Sequence, residues 1–549
     1  MQRHSWRLWA AAVLSAGLLE LPFPLAGPMP PWRSIFAWFG LVPLLWALLH
    51  PSVAGGRKPL RRAFLISYLC GFLWYCGNCY WVYHTMLMYG DLGPLTAALL
   101  LVLFSLVLGL YFGFFALCLA LISRAKGTMW ALIAAPFLWV ALELAAARIT
   151  SVPWDQLGYS QVDNSFAYHL APTTGVYGIS WLLVVINVLL AQLLLGGSGR
   201  SKLLSALGLL GPLALVAFRE QPPQPAPTAT AVLIQPNLDV GADLNWPDGE
   251  WNEHMAQFQQ FAGQTCKSYI QGIPQTGAPT VAPPCPTPPV RPDLVVWPEA
   301  PAPFEEEDKH FREALAGIAQ SVDAPLVVGS IGMDYTDQAQ AWHDYNSALV
   351  IGADGRRVGR YDKIHLVPFG EYVPFEKLLF FARKLTGRVS RFDRGQMRKV
   401  FLLGGHRYGV FICYEAVFAD EVRHFAGLGA EVLVNISDDG WYGDTSAPWQ
   451  HLNMARMRAI ENRRWLLRDT NTGVTAVIDP YGRVRQSIPR HQADALPARL
   501  GFRDDITFYT AHGDVFAWAC AILAIGAVGW SVTSLKSHPA PNVQEKVRS

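Results

Sequence analysis

The sequence predicts a polytopic α-helical membrane domain carrying a layered α/β domain outside the membrane, on three observations. Residues 8–218 are nearly all apolar spans, residues 220–510 have ordinary polarity, and an apolar stretch at 515–532 returns the chain to the lipid. Hydrophobic residues make up 52% of the chain and charged residues only 16%, well below the roughly 25% charged of soluble domains. Within the polar stretch, short apolar runs alternate with amphipathic ones, the rhythm of strands and helices in an α/β layered domain.

Eight spans are expected, at 8–25, 35–49, 64–83, 95–122, 129–147, 174–195, 203–218 and 515–532. Several approach the roughly 20 residues that cross about 30 Å of hydrocarbon, while the second and seventh are short. Arg3 and Arg7 before the first span imitate a signal peptide, but the spans that follow make it a retained helix. Basic residues gather in alternate short loops: Arg57, Lys58, Arg61 and Arg62; Arg124 and Lys126; Arg200 and Lys202; then Lys536, Lys546 and Arg548. The positive-inside rule therefore places both termini in the cytoplasm and the polar domain on the opposite face. The expected organisation is a seven-helix membrane region at 1–219, a stiff Pro-rich linker at 220–228, a catalytic domain at 229–510, an eighth span within 511–535 and a cytoplasmic tail at 536–549. In the outer loop 148–166, Trp154 and Tyr159 are expected to seat at the headgroup level or to approach the reacting site. Glu143 either marks a function or pairs with Arg148.

The net charge of +2 is spread over membrane-flanking loops, which excludes a nucleic-acid stripe. Cys76 and Cys79 lack a second pair or a nearby His cluster, so no metal is expected. Cys266 and Cys285 flank a Pro-rich insertion at 263–290; outside the cytoplasm they form a bridge or remain a free pair.

Strands are expected at 229–234, 294–297, 326–328, 347–351, 408–412 and 432–436. Asp354-Gly355 marks a hairpin turn between the arms 347–351 and 356–361. Amphipathic helices are expected at 305–319, with an acidic first turn, and at 449–461, where Leu452, Met454, Ala455 and Ile460 punctuate charges.

Three ionisable residues fall at strand ends, where α/β sheets tend to place ligands: Glu299, Lys363 and Cys413. A thiol near its ordinary pKa is a few per cent thiolate at neutral pH, and a carboxylate in reach takes its proton as attack proceeds. An ammonium faces the oxygen that becomes an oxyanion. Glu371 is a second carboxylate that positions Lys363 or shares the acid–base work.

The segments Trp297-Pro298-Glu299, Tyr361-Asp362-Lys363-Ile364-His365-Leu366-Val367-Pro368-Phe369-Gly370-Glu371-Tyr372 and Cys413-Tyr414-Glu415 resemble the three signatures of the nitrilase superfamily. Between seven spans and a final one, they resemble the apolipoprotein N-acyltransferases of Gram-negative bacteria. Gln235-Pro236-Asn237, residues 435–443, Gln450-His451-Leu452 and residues 468–473 match as well. The resemblance implies a nitrilase-like α-β-β-α sandwich on an eight-helix base in the bacterial inner membrane, with the catalytic domain periplasmic. It implies transfer of the sn-1 acyl chain of a phospholipid, commonly phosphatidylethanolamine, to the α-amino group of the S-diacylglyceryl cysteine of an apolipoprotein. Glu299 is then the general base, Lys363 the oxyanion stabiliser and Cys413 the nucleophile. Glu371, Tyr414 and Glu415 support them, and Trp246 and Trp441 are candidates near the substrate entrance. No cofactor is expected, the partners are membrane lipids and the apolipoprotein, and nothing points beyond a monomer. Asp438 departs from the family's usual asparagine, which would alter loop hydrogen bonding. A membrane-tethered amidase, or a scaffold or transporter that only binds lipoproteins, are the alternatives.

Overall fold

The computed structural model describes residues 5–54, 58–90, 92–195, 199–217, 225–240, 247–266, 291–300, 304–336, 341–372 and 392–537. Among them, five helices are long and apolar enough to cross a membrane: Pro31–Leu49, Pro94–Lys126, Thr128–Thr150, Val176–Leu194 and Val515–Leu535. The other three expected spans are also helical, at Ser5–Glu20, Pro59–Asn78 and Gly199–Ala217. Ser5–Glu20 has only 16 residues, and Pro59–Asn78 carries Arg61 and Arg62 in its first turn. Most of the linker and all of the tail beyond residue 537 lie outside the described residues.

The polar part contributes twelve strands. They are β1 (Ala229–Gln235), β2 (Leu294–Val296), β3 (Leu326–Thr336), β4 (Ala341–Ile351), β5 (Arg357–Asp362), β6 (Val400–Leu403), β7 (His406–Ile412), β8 (Val432–Ser437), β9 (Trp465–Thr470), β10 (Thr475–Ile478), β11 (Val484–Ile488) and β12 (Asp494–Leu500). They form two six-stranded sheets, ordered β12-β1-β2-β3-β4-β5 and β11-β10-β9-β8-β7-β6. Each has a parallel centre, β1-β2-β3 or β7-β8-β9, and antiparallel flanks. Leu233, Val296, Val327 and Val350 of one sheet meet Val410, Ile412, Leu433 and Leu467 of the other in one apolar core. Alternate residues of the first sheet, such as Val232, Val295 and Val328, turn outward against Phe258, Phe311 and Leu315 of two covering helices. The helices Ala419–Gly427 and Ala447–Asn462 cover the second sheet. The result is the expected α-β-β-α sandwich.

Four expectations are corrected. The helix expected at 305–319 runs from Lys309 to Val322, because the Asp308 side chain caps it by accepting the His310 N–H at 2.8 Å. The acidic residues before it are used elsewhere: buried Glu306 pairs with Arg360 at 2.7 Å and Arg357 at 2.5 Å. The helix Ala447–Asn462 is not half-solvated, since nearly every residue in it is buried. Met454, Met457 and Ile460 join the core of the membrane part, while Leu452, Ala455 and Ala459 join that of the sandwich. Its charges bond into the membrane part, Arg456 to Asp163 and Arg458 to Tyr159.

Nor do Trp154 and Tyr159 sit in the headgroups. Both are buried, and Trp154 Nε1 donates to Gln450 Oε1 at 2.8 Å. Finally, Glu143 does not pair with Arg148. It accepts from Trp139 Nε1 and Leu157 N–H, both at 2.9 Å, and Arg148 instead reaches Asp514 at 2.6 Å and Asp420 at 2.9 Å. Asp420 of the polar part and Asp514 at the head of the last span supply Arg148 with other partners.

Candidate active site

β2 ends at Val296, and the chain turns through Pro298 to present Glu299 at the carboxyl end of this interior strand. This turn lies against Gly329 of β3 so closely that a Cβ on Gly329 would stand 2.1 Å from the Pro298 carbonyl oxygen. β5 ends at Asp362 and delivers Lys363 beside it. From the opposing sheet β7 ends at Ile412, and Cys413 follows at φ 47°, a left-handed conformation uncommon for a residue with a side chain. Three strand ends from two sheets thus meet, and all three side chains are buried.

Lys363 Nζ donates to Glu299 Oε1 and to Glu371 Oε1, each at 2.9 Å. Two of its three N–H bonds are committed in this way, which leaves one for a substrate oxygen. Asn346 Nδ2 binds the same two carboxylates, at 2.7 Å to Glu299 and 2.6 Å to Glu371. The second oxygen of Glu299 accepts the Asp438 backbone N–H at 2.9 Å. The second oxygen of Glu371 accepts Val367 N–H at 2.7 Å, so this carboxylate closes the loop that carries the lysine.

Electrostatics follows from this packing. Burial is the largest influence and works to raise the Glu299 carboxyl, but the Lys363 charge together with the hydrogen bonds from Lys363 and Asn346 holds the group below its usual value. Burial works to lower Lys363, yet Glu299, Glu371 and Cys413 push it well up, so it stays an ammonium. Burial and then the Glu299 charge push the Cys413 thiol well above its ordinary value, with Lys363 pulling the other way. The expected few per cent of resting thiolate is therefore corrected. The thiol is protonated at rest, and an ionised carboxylate stands ready to take the proton.

Glu415 touches no reacting group. One oxygen accepts Ile412 N–H at 2.7 Å, the other Ile364 N–H at 2.7 Å, His365 N–H at 3.2 Å and Tyr361 O–H at 2.8 Å. It splices the turn after β7 to the turn after β5, and so sets Cys413 against Lys363. Tyr414 donates its hydroxyl to the Ser151 carbonyl at 2.8 Å, tying the turn that carries Cys413 to the membrane part. The ring of Trp441 lies 5.1 Å from that of Tyr89, the C-terminal cap of a short helix, Trp81–Met88, between the third and fourth spans, and the Trp441 carbonyl accepts from Thr85 Oγ1 at 3.0 Å. Asp438 accepts Gly440 N–H at 2.9 Å and Asn471 Nδ2 at 3.1 Å. Burial pushes its carboxyl up to about 7.

Trp246 and Cys285 lie outside the described residues. Cys266 is disulfide-bonded, and Cys70, Cys76, Cys79, Cys118, Cys413 and Cys520 are free. Sequence reasoning missed Asn346, which sits one residue before the strand start it recognised; the signal was a polar pair, Asn346-Ser347, inside an apolar strand. Among the described residues no group of three or more His, Cys, Asp or Glu side chains could hold a metal ion.

This geometry belongs to a chain whose parts match two family models. Residues 264–498 match the carbon-nitrogen hydrolase family, and residues 15–189 match the apolipoprotein N-acyltransferase N-terminal domain. The apolipoprotein N-acyltransferase of Geobacter metallireducens is 34% identical over 525 residues, covering 94% of this chain and 93% of that protein. The chain belongs to the apolipoprotein N-acyltransferase family. The enzyme of that name from Agrobacterium fabrum is 30% identical over 549 residues, with 96% and 98% covered, and that of Sinorhizobium medicae is 32% identical over 517 residues, with 91% and 92% covered. As a member of the apolipoprotein N-acyltransferase family, the chain is a multi-pass membrane enzyme of acyl-transfer chemistry, with its nitrilase-like domain built around a buried cysteine.

Proposed function

We propose that the enzyme transfers the sn-1 acyl chain of a phospholipid, phosphatidylethanolamine foremost, to the N-terminal amine of the S-diacylglyceryl cysteine of an apolipoprotein, through a thioester on Cys413. The observation that carries this reading is the meeting of buried Cys413, Glu299 and Lys363 at three strand ends, with Lys363 2.9 Å from Glu299, within a sandwich seated on apolar helices. Glu299 accepts the thiol proton as Sγ bonds to the ester carbonyl carbon. The carbonyl oxygen becomes an oxyanion and meets the remaining N–H of Lys363. Collapse breaks the carbon–oxygen bond, and Glu299 returns the proton to the departing glycerol oxygen. The acceptor amine then attacks the thioester, Glu299 takes a proton from it, and Cys413 leaves and regains its proton. Glu371, Tyr414 and Glu415 support these groups, while Trp246 and Trp441 belong to the substrate entrance.

The arrangement of basic loops supports cytoplasmic termini and a periplasmic catalytic domain at 229–510, in an inner-membrane protein that works as a monomer. The Cys266 bridge closes onto Cys285 in this reading. Purified enzyme exposed to phospholipid without acceptor is expected to gain one acyl mass on Cys413 and to release an equal amount of lysophospholipid. Turnover with both substrates but no such adduct would overturn the thioester route. External protease is expected to cut within 267–290 in intact spheroplasts.

A further inference from the structure

His451 plays no part in the mechanism above, yet it lies directly beneath the nucleophile. It is fully buried in the helix Ala447–Asn462, with Nε2 3.0 Å from the Cys413 carbonyl oxygen. A carbonyl oxygen only accepts, so Nε2 carries a hydrogen and donates it. The other ring nitrogen, Nδ1, lies 2.9 Å from Asp439 Oδ1 and 3.1 Å from Arg468 Nη2. Asp439 is held in turn by Arg468 Nη2 at 2.6 Å and Ser437 Oγ at 3.0 Å, and Arg468 also binds Asn435. All of these residues are buried, on β8, on β9 and in the turn after β8. The indole of Trp154, from the membrane part, stacks on the imidazole at 6.0 Å and 27°.

We infer that His451 is a positioning residue, whose Nε2–H pins the Cys413 carbonyl and thereby the left-handed backbone that aims the thiol at Glu299 and Lys363. Two features carry the inference. At φ 47° Cys413 holds a conformation that persists only where surrounding contacts over-determine it. The turn after β7 is fixed from the side by Glu415 and along the chain by the 3-10 turn Cys413–Val417, and His451 adds a side-chain donor to the Cys413 carbonyl from the helix beneath. The chain Arg468–Asp439–His451 is anchored in the second sheet, so the hydrogen bond comes from a rigid support and not from a loop. The Trp154 ring couples the same support to the membrane part. Without the donor the peptide can turn toward the right-handed region, and the thiol leaves the line between Glu299 and Lys363.

This inference rests on Cys413 being the nucleophile, and the test separates the two. Acylation of Cys413 by phospholipid is followed in a single turnover in wild type, His451→Phe, His451→Gln and Asp439→Asn, with each rate expressed per folded molecule from size exclusion and thermal unfolding. Failure of wild type to acquire the acyl group would strike the proposed function, not this step. His451→Phe, which fills the space without a donor, is expected to slow acylation about a hundredfold, the usual cost of an ångström-scale misplacement, with half-saturating phospholipid unchanged. His451→Gln places an N–H near the same point and is expected to recover most of the rate, and Asp439→Asn should lose about tenfold as the imidazole loosens. A wild-type rate per folded His451→Phe molecule, or a His451→Gln variant as slow as His451→Phe, would overturn the inference. If His451→Phe yields no folded protein, the Gln and Asn variants decide: a full rate in Asp439→Asn, or a hundredfold loss in His451→Gln, overturns it equally.

Discussion

Gly329 and Pro298 approach so closely that a β-carbon on the glycine would lie 2.1 Å from the proline's carbonyl oxygen and 2.8 Å from Glu299 Cα. Glu299, the proposed general base, is therefore held by backbone pressed on backbone, at a place where no other residue type fits. Gly329→Ala is expected to displace the Glu299 turn and to cut the acylation rate about a hundredfold, with little change in half-saturating phospholipid. Single-turnover kinetics checks this; an unchanged rate would mean that the strand yields instead of the turn.

Glu299 and Lys363 act on the thiol with opposite sign, so their removal is distinguishable. Burial and the Glu299 charge both hold the Cys413 proton on, whereas Lys363 loosens it. In Glu299→Gln, alkylation of Cys413 should rise at lower pH than in wild type although acylation is lost. In Lys363→Ala the alkylation profile should move to higher pH. Acylation should fall roughly 10²–10³-fold at every pH, as for a lost oxyanion donor. Iodoacetamide labelling and acylation rates against pH give both readings, and near-normal acylation by Lys363→Ala would remove its oxyanion role.

Asp438 makes stability depend on pH in an unusual direction. Its carboxyl is pushed from 3.8 up to about 7 by burial. Between those values the folded protein keeps a proton that the unfolded chain has released, so its contribution is full below the lower value and is lost as pH rises through about 7. Asp438→Asn should abolish this loss: the variant gains on wild type in melting temperature as pH is raised from 5 to 8. Parallel melting curves for the two proteins would contradict the assignment.

Arg148 joins the two parts of the molecule through Asp420 at 2.9 Å and also binds Asp514, at the head of the last span, at 2.6 Å. Arg148→Ala leaves the largely buried Asp514 without its cation. Because the Arg148 side chain is 41% exposed, the cost should be about 1 kcal/mol, the upper end for solvent-screened pairs. Thermal unfolding in detergent should show a lower midpoint, with acylation per folded molecule retained. Asp514→Asn in the same background should return part of the loss.

Composition and local pattern carried much of this protein. Long apolar runs can only be satisfied by lipid or a large core, and Glu299, Lys363 and Cys413 are conspicuous because ionisable groups rarely follow buried strands. The strand Trp465–Thr470 escaped notice because Arg468 and Asp469 interrupt its apolarity, and both prove fully buried. The helix Ala447–Asn462 misled for the same reason, since Arg456, Arg458 and Glu461 look solvated in sequence and are buried by partners some 300 residues away or one turn along.

The sequence by itself determined which segments seek lipid, which uninterrupted apolar runs form strands, and that three ionisable side chains fall at the ends of such strands, because hydropathy, periodicity and residue type are local properties. The tertiary structure alone decided how those side chains behave. The ionised Glu299, the protonated Cys413 and the two committed N–H bonds of Lys363 are products of burial and mutual contact. Neither burial nor contact exists until β2, β5 and β7, from two different sheets, bring their ends together.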